Sequence, residues 1–244
     1  MKAMILAAGL GTRLKPFTDN HPKALAVVNG KTLLQRNIEY LVSFGIKNII
    51  INLHHFGDQI KELLAANRNF NTAITFSDES SKLLETGGGL KKAASFFNNN
   101  DPFLLMNADI LTDLDLRKMI EAHETSNAIA TLAITSRATT RYLLFDQQNS
   151  LCGWRNTNPA KEIITKNDPP FTQKAFSGIH IISTEIFSYL KANDNADDKE
   201  KFSIIDSYLQ IIKHQKIVGF DHSGGKLVDV GNPESIKVAE ELFI

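Results

Sequence analysis

The sequence has a single cysteine, Cys152, among 244 residues, so no disulfide can form within the chain and an oxidising compartment is not implied. It has no surplus of either charge: 27 basic and 27 acidic residues give a formal net charge of zero. That balance lacks the electrostatic footprint of a nucleic-acid-binding domain or of a protein drawn to an anionic membrane, so neither partner is expected. Long hydrophobic runs are also missing. The apolar start Met1-Lys2-Ala3-Met4-Ile5-Leu6-Ala7-Ala8-Gly9 ends in glycine. It is too short for a signal peptide and far short of the roughly 20 apolar residues of a membrane span. A cytoplasmic protein is expected. No internal repeat or low-complexity linker is visible, and Cys152 reads as inert packing.

What is present suits one α/β domain. The composition, 43% hydrophobic and 22% charged, is ordinary globular usage and allows a sizeable core without disulfides or structural metal. Short β-like runs alternate with helical spacing through the first half: strands at Lys2–Ala8, Asn48–Leu53, Ala73–Phe76 and Phe103–Met106, helices at Thr32–Phe44, Asp58–Ala66 and Thr86–Phe96. This alternation predicts a parallel sheet covered on both faces, with ligands bound beyond the carboxyl ends of its strands. The residues at those ends are Ala8-Gly9, His54-His55, Ser77-Asp78-Glu79 and Asn107-Ala108-Asp109.

The second half is less regular. Ala128–Thr135, Tyr142–Phe145, Phe176–Ile182, Ile217–Phe220 and Leu227–Val230 read as strands, and Ile204–Ile212 and Pro233–Leu242 as helices. Asn156–Pro170 reads as polar loop, and Asn193–Lys201 as a mobile surface loop.

The strongest signal is Leu6-Ala7-Ala8-Gly9-Leu10-Gly11-Thr12-Arg13-Leu14-Lys15-Pro16, directly after the first strand. Gly9 and Gly11 permit positive φ and a close approach to a ligand, and successive amides in such a turn form an anion-binding concavity. Arg13 adds a planar fork for phosphate oxygens, and Lys23 of Pro22-Lys23 adds a compact charge. The order of a P-loop is absent, and so are the third glycine and the acidic second-strand terminus of a dinucleotide fingerprint. Taken alone, the two glycines fit a tight surface turn equally well.

Two aspartates end apolar strand candidates: Asp109 after Leu104-Leu105-Met106-Asn107-Ala108, and Asp229 after Lys226-Leu227-Val228. One or two carboxylates, completed by substrate phosphate and water, are what Mg2+ prefers. Each aspartate alone would equally suit a turn cap. His54-His55 lacks further metal-ligand partners, so a zinc site is not expected. Trp154 reads as a partly buried aromatic.

Together these residues resemble the sugar-1-phosphate nucleotidyltransferase family, over nearly the whole chain. Leu6–Pro16 with Pro22-Lys23 is similar to the family's signature loop and lysine, Asp109 and Asp229 match its metal-binding aspartates, and Phe176-Ser177-Gly178-Ile179 is similar to its sugar-side segment. The resemblance implies a Rossmann-like α/β fold of the nucleotide-diphospho-sugar transferase type, with a mixed, mostly parallel central sheet and helices on both faces. It implies a single domain, 1–244, with a nucleotide-binding half at 1–110 and a sugar-phosphate-binding half at 111–244, and no C-terminal β-helix domain.

The activity implied is transfer of a nucleoside monophosphate from an NTP to a sugar 1-phosphate with release of pyrophosphate, with Mg2+ on Asp109 and Asp229. Ala7, Ala8, Gly9, Leu10, Gly11, Thr12, Arg13 and Lys23 would bind the nucleotide, with Glu85, Thr86 and Gly87 against its base. Ser177 and Gly178 would lie at the sugar phosphate. The family's usual glutamate-lysine pair is not clear, since Lys161-Glu162 is reversed, so Lys174 is the candidate there.

Within the family, Leu84-Glu85-Thr86-Gly87-Gly88-Gly89 resembles N-acetylmuramate-1-phosphate uridylyltransferases, which makes UTP the favoured nucleotide. Mannose-1-phosphate guanylyltransferase, or a nucleotide- or sugar-phosphate-binding regulatory module, is the alternative.

Overall fold

The computed structural model describes residues 1–97, 101–167, 169–192 and 197–244. The first half runs β1 (Lys2–Leu6), a small hairpin of β2 (Val27–Val28) and β3 (Lys31–Thr32), α1 (Leu33–Ser43), β4 (Asn48–Leu53), α2 (Gly57–Ala66), β5 (Ala73–Asp78), α3 (Glu85–Lys92) and β6 (Phe103–Asn107). The second half runs β7 (Ile110–Thr112), α4 (Leu116–Ser126), β8 (Ala130–Thr135), β9 (Arg141–Phe145), β10 (Leu151–Thr157), β11 (Ala160–Ile164) and β12 (Thr172–Ile182). It closes with α5 (Ile204–Ile211), β13 (Ile217–Asp221), β14 (Leu227–Asp229) and α6 (Pro233–Leu242). None of the helices formed by the described residues is long and apolar enough to cross a membrane.

One mixed sheet passes through both halves in the order β11-β10-β9-β12-β6-β1-β4-β5, with β8 on β12 and β13 on β8. β6, β1, β4 and β5 are mutually parallel, whereas β12 enters antiparallel to β6. Alternate side chains point to opposite faces, as the pleat requires. Met4, Ile50 and Leu105 pack with Leu90 of α3 and Tyr208 of α5. Ala3, Ile5, Ile51 and Met106 pack with Ile38 and Leu41 of α1, Leu64 of α2 and Met119 of α4. Helices therefore cover both faces. Cys152 is buried, and burial pushes its thiol pKa up to about 11.

The second half departs from the sequence reading in three places. α4 forms where no element was expected; Leu116, Met119, Ile120 and His123 share one face, and the Asp115 side chain caps its start. Within Asn156–Pro170, read as loop, the chain instead completes the antiparallel pair β10–β11, because Trp154 and Ile163 lie opposite each other and both pack on the core. Of the segment read as a mobile loop, residues 193–196 lie outside the described residues. The following stretch is tethered, since Lys82 Nζ binds Asp198 Oδ1 at 2.9 Å and Glu200 Oε2 at 2.7 Å.

Two features of the register position a site. β12 pairs Ile179 with Met106 at the end of β6, while Thr172–Ala175 pair with β9. The first part of β12, with β9 to β11, therefore projects past the carboxyl ends of the parallel strands as an overhanging wall. The second feature is β14, which pairs antiparallel with β7 and sets Asp229 opposite Ile110, the residue after Asp109.

Candidate active site

Beyond the ends of β1, β4 and β6 opens a cleft of about 480 Å3, within the usual range for small-molecule sites. Its lining includes Leu6, Ala8, Gly9, Asn52, Glu85, Thr86, Asn107, Asp109 and Arg141. A smaller recess joining Ala7, Gly9, Lys23 and Asp109 continues beneath the loop.

The loop after β1 is held from below by a buried polar chain. The Ala7 amide donates to Asn52 Oδ1 at 2.7 Å, Asn52 Nδ2 donates to Glu79 Oε1 at 2.8 Å, and Glu79 Oε2 accepts from the Leu84 amide at 3.1 Å. Glu79 is fully buried, so it frames the site from behind rather than facing a ligand. The end of β6 is held in the same way, by Asn37 Nδ2 donating to the Ala108 carbonyl at 2.7 Å. His54 bonds the Glu79 carbonyl at 2.7 Å, and among the described residues no group of three or more His, Cys, Asp and Glu is placed to hold a metal.

The two loop glycines serve different ends. Gly11 has φ of 60°, and a Cβ there would stand 2.9 Å from Lys23 Cβ, so glycine is required both by conformation and by the approach of Lys23. Gly9, contrary to the sequence reading, has no positive φ; a Cβ on it would meet nothing within 4 Å. What its missing side chain provides is open space at the cleft. Leu10 and Thr12 are exposed on the outer turn.

The charged residues converge. Lys23 Nζ forms an ion pair with Asp109 Oδ2 in which both side chains are largely shielded. A Cβ on Gly231 would lie 2.9 Å from the Arg13 guanidinium and 3.3 Å from Asp229 Oδ1, so all three meet at one point. The Val230 amide donates to the Asp109 carbonyl at 2.9 Å, stitching the two aspartate-bearing strand ends together. Asp229 stands at an exposed rim, yet desolvation by surrounding atoms raises its carboxyl pKa and the Asp109 charge raises it further; Lys23, Arg13 and Arg137 offset this only in part. Two carboxylates close enough to repel each other at the mouth of a cleft are a hard-oxygen donor pair, with the Lys23 ammonium on Asp109. Their chemistry fits Mg2+ completed by phosphate and water.

Other sequence-derived candidates are placed elsewhere. Glu85 and Thr86 line the cleft, Glu85 with a left-handed φ of 60°. Gly87 does not line it; a Cβ there would fall 2.5 Å from the Phe202 ring, and the Gly87 and Gly88 amides donate to the Phe202 carbonyl. The close approach that these glycines allow is thus made by the chain's own segment 200–203. Ser177 is fully buried with its hydroxyl 2.8 Å from His222 Nε2, and Gly178 is packed on Asn107 and Ile110, so neither lines the cleft. Lys174 is taken by Asp221 at 2.6 Å and Ser136 at 2.7 Å. Burial works against the Asp221 charge, but Lys174 and Ser223 overcome it and hold its pKa at about 2.

Sequence reasoning missed Asn52, Arg137 and Arg141, and left the part played by Glu79 undecided. Arg137 donates to the Phe176 carbonyl at 3.2 Å and bears on Asp229, while Arg141 lines the overhanging wall. An Asn ending a buried strand was the one available signal, since a polar side chain there demands partners.

Comparison with known proteins agrees with this architecture. The family model described as nucleotidyl transferase matches residues 2–243. An N-acetylmuramate alpha-1-phosphate uridylyltransferase of Caulobacter vibrioides is 29% identical over 245 residues, covering 98% of this chain and 95% of that protein. A UTP–glucose-1-phosphate uridylyltransferase of Synechocystis is 31% identical over 81% of this chain, which spans only 53% of that relative's length. The crystal structure of HddC from Yersinia pseudotuberculosis complexed with GMP-PN superimposes with a TM-score of 0.76 at 25% identity, covering 100% of this chain and 99% of that one. Fold, cleft and full-length match lead to one conclusion: the chain belongs to the nucleotidyl transferase family.

Proposed function

We propose that this protein transfers a uridylyl group from UTP to N-acetylmuramate 1-phosphate in the cytoplasm, releasing pyrophosphate. The observation that carries the reading is the convergence of Arg13, Lys23, Asp109 and Asp229 at the mouth of a cleft floored by a glycine loop. The sugar and base rest on the Caulobacter relative, which matches end to end.

In this reading the amides of Gly9 to Gly11 and the cations of Lys23 and Arg13 hold the triphosphate. Asp109 and Asp229 would hold Mg2+, which when bound supplies charge neutralisation at the reacting phosphates. A phosphate oxygen of the sugar 1-phosphate attacks the α-phosphorus, forming the new P–O bond as the bond to the β-phosphate oxygen breaks. The nucleophile is already an anion, so no general base is required, and the residues act by orientation and electrostatics. Glu85 and Thr86 lie where the nucleoside would rest. Glu85's left-handed backbone is the kind of cost retained at ligand contacts.

The test is pyrophosphate release with UTP, GTP, CTP, ATP and dTTP crossed against several sugar 1-phosphates. Turnover is expected with UTP and N-acetylmuramate 1-phosphate in Mg2+, and none in EDTA. Preference for GTP with mannose 1-phosphate would move the protein to the guanylyl branch. Nucleotide binding without turnover on any pair would leave a regulatory module.

A further inference from the structure

The proposed chemistry asks two things of one contact. Lys23 is to hold the triphosphate and Asp109 the divalent ion, yet the Lys23 ammonium lies on Asp109 Oδ2. An oxygen that accepts an ammonium at contact distance has no place for a metal ion, and the two positive charges would repel each other.

The fold holds this pair in place. Lys23 opens the short turn Lys23–Leu25, where the Leu25 amide donates to the Pro22 carbonyl at 2.9 Å and the Ala26 amide to the Lys23 carbonyl at 3.0 Å. Ala24 beside it is buried, so the backbone is anchored. The lysine stem passes against Gly11, where a Cβ would stand 2.9 Å from Lys23 Cβ. The two side chains are only 12% and 24% exposed, so salt screens the pair weakly. The recess that Lys23 shares with Gly9 and Asp109 keeps about 40 Å3 of open space, near the volume of one water molecule. Mg2+ gives up its waters reluctantly and needs more room than that.

Charge leads to the same result. Asp109 and Asp229 supply two negative charges. Lys23 on Asp109, and Arg13 meeting Asp229 at Gly231, supply two positive ones. A divalent ion arriving alone meets carboxylates already matched by the chain's own cations. A triphosphate against the Gly9–Gly11 loop alters this balance, because it offers Lys23 a more highly charged partner that rotation of the stem alone can reach.

We infer that Lys23 gates the metal site, closing Asp109 to divalent ions until a triphosphate draws its ammonium away. The inference rests on the function proposed above and adds a coupling to it. Ion and nucleotide then favour each other's binding by the same factor, as linkage requires.

The test titrates Mn2+, followed by loss of the free-ion electron paramagnetic resonance signal, into nucleotide-free wild type, Lys23→Met, Lys23→Arg and the double variant Lys23→Met/Asp109→Asn. Circular dichroism melts report whether each is folded. Relief of one charge-assisted contact on Asp109 predicts that Lys23→Met binds Mn2+ about 10- to 100-fold more tightly than wild type. Lys23→Arg keeps the charge and should stay near wild type, while the double variant should lose the gain. A second arm adds a non-hydrolysable UTP analogue and follows the ternary complex by water-proton relaxation, with Asp109→Asn as its control.

Equal Mn2+ affinity in wild type and Lys23→Met, with an Asp109-dependent ternary complex still formed, would overturn the gate and leave the proposed reaction standing. A gain that survives in the double variant would place the ion away from Asp109 and overturn the gate as well. Should a Lys23 variant misfold, wild type decides: Asp109-dependent Mn2+ binding as tight without the analogue as with it would overturn the gate. No Asp109-dependent Mn2+ in either arm sinks the gate and the metal reading together.

Discussion

The two ends of the cleft are built on different principles. At the loop end, polar groups are buried and mutually bonded: Ala7, Asn52, Glu79 and Leu84 form one chain, and Asn37 holds Ala108. At the wall end, the polar groups are exposed and paired across strand surfaces, as in Arg155–Glu162 and Lys174–Asp221. Buried polar networks fix geometry because an unsatisfied member is costly, whereas exposed ion pairs contribute little and rearrange readily. The comparison teaches that the geometry of the loop end is fixed by the core, while the wall is open to change without loss of the fold.

The largest effects should come from the carboxylates at the junction of the two ends. Asp109→Asn and Asp229→Asn are each expected to lower kcat by about 100- to 1,000-fold, the usual loss when one preorganised electrostatic group is removed. Thermal unfolding should change little for Asp229→Asn, whose residue is exposed, and somewhat more for Asp109→Asn, which leaves the shielded Lys23 ammonium without its counter-charge. Near-normal turnover by either variant would remove that aspartate from the mechanism. The next effect belongs to the frame. Glu79→Ala leaves the Asn52 amide and the Leu84 N–H without an acceptor, each costing about 1–3 kcal/mol when buried. Urea unfolding should report a loss of about 2–4 kcal/mol, with weaker UTP binding because Asn52 also holds Ala7. A loss below about 0.5 kcal/mol, typical of a surface change, would show that the loop end is no more rigid than the wall.

A smaller effect separates core from rim by pH. His180 is fully buried against Tyr208, with Nδ1 2.8 Å from the phenol oxygen, and desolvation lowers its pKa from 6.5 to about 3. The folded state thus binds its proton less readily than the unfolded chain. The contribution of His180 is fully present above pH 6.5 and is lost progressively as pH falls towards 3. Between pH 7.5 and 5.5 this group alone should remove about 1.4 kcal/mol of stability. His180→Gln should flatten that part of the dependence, and an unchanged slope would assign it to other groups.

The same contrast explains what could be read in the sequence. The parallel half was legible because strands buried on both faces are continuous apolar runs, as in Asn48–Leu53, separated by helical spacing. α4 was hidden because Arg117, Lys118, Glu121 and Glu124 dilute a stripe only four residues wide. The β10–β11 pair was hidden because β11 is largely exposed and β10 is buried only over its first three residues, so neither carries that run. Asp109 and Asp229 could be selected as strand ends, but their meeting depends on the β14–β7 register, which no local pattern encodes. Arg141 was missed for the same reason, since its relation to the cleft follows from where β9 and β6 pair along β12.

Lys174 is the sharpest case, and the smallest effect. Its charge and its place just before Phe176 made it the sequence candidate for the sugar phosphate, yet Asp221 and Ser136 occupy its ammonium. Lys174→Ala should therefore leave the KM for the sugar 1-phosphate within about threefold of wild type. Stability should fall by about 0–1 kcal/mol, because the pair is partly exposed and screened. That small contribution also has a sign in pH. The Asp221 pKa is depressed to about 2 from its ordinary 3.8, so the pair's stabilisation is present above pH 3.8 and is lost as pH falls towards 2. A tenfold rise in sugar-phosphate KM at neutral pH would mean that Lys174 leaves Asp221 when substrate arrives. The wall would then rearrange as part of binding, and its exposed pairs would be working parts of the site.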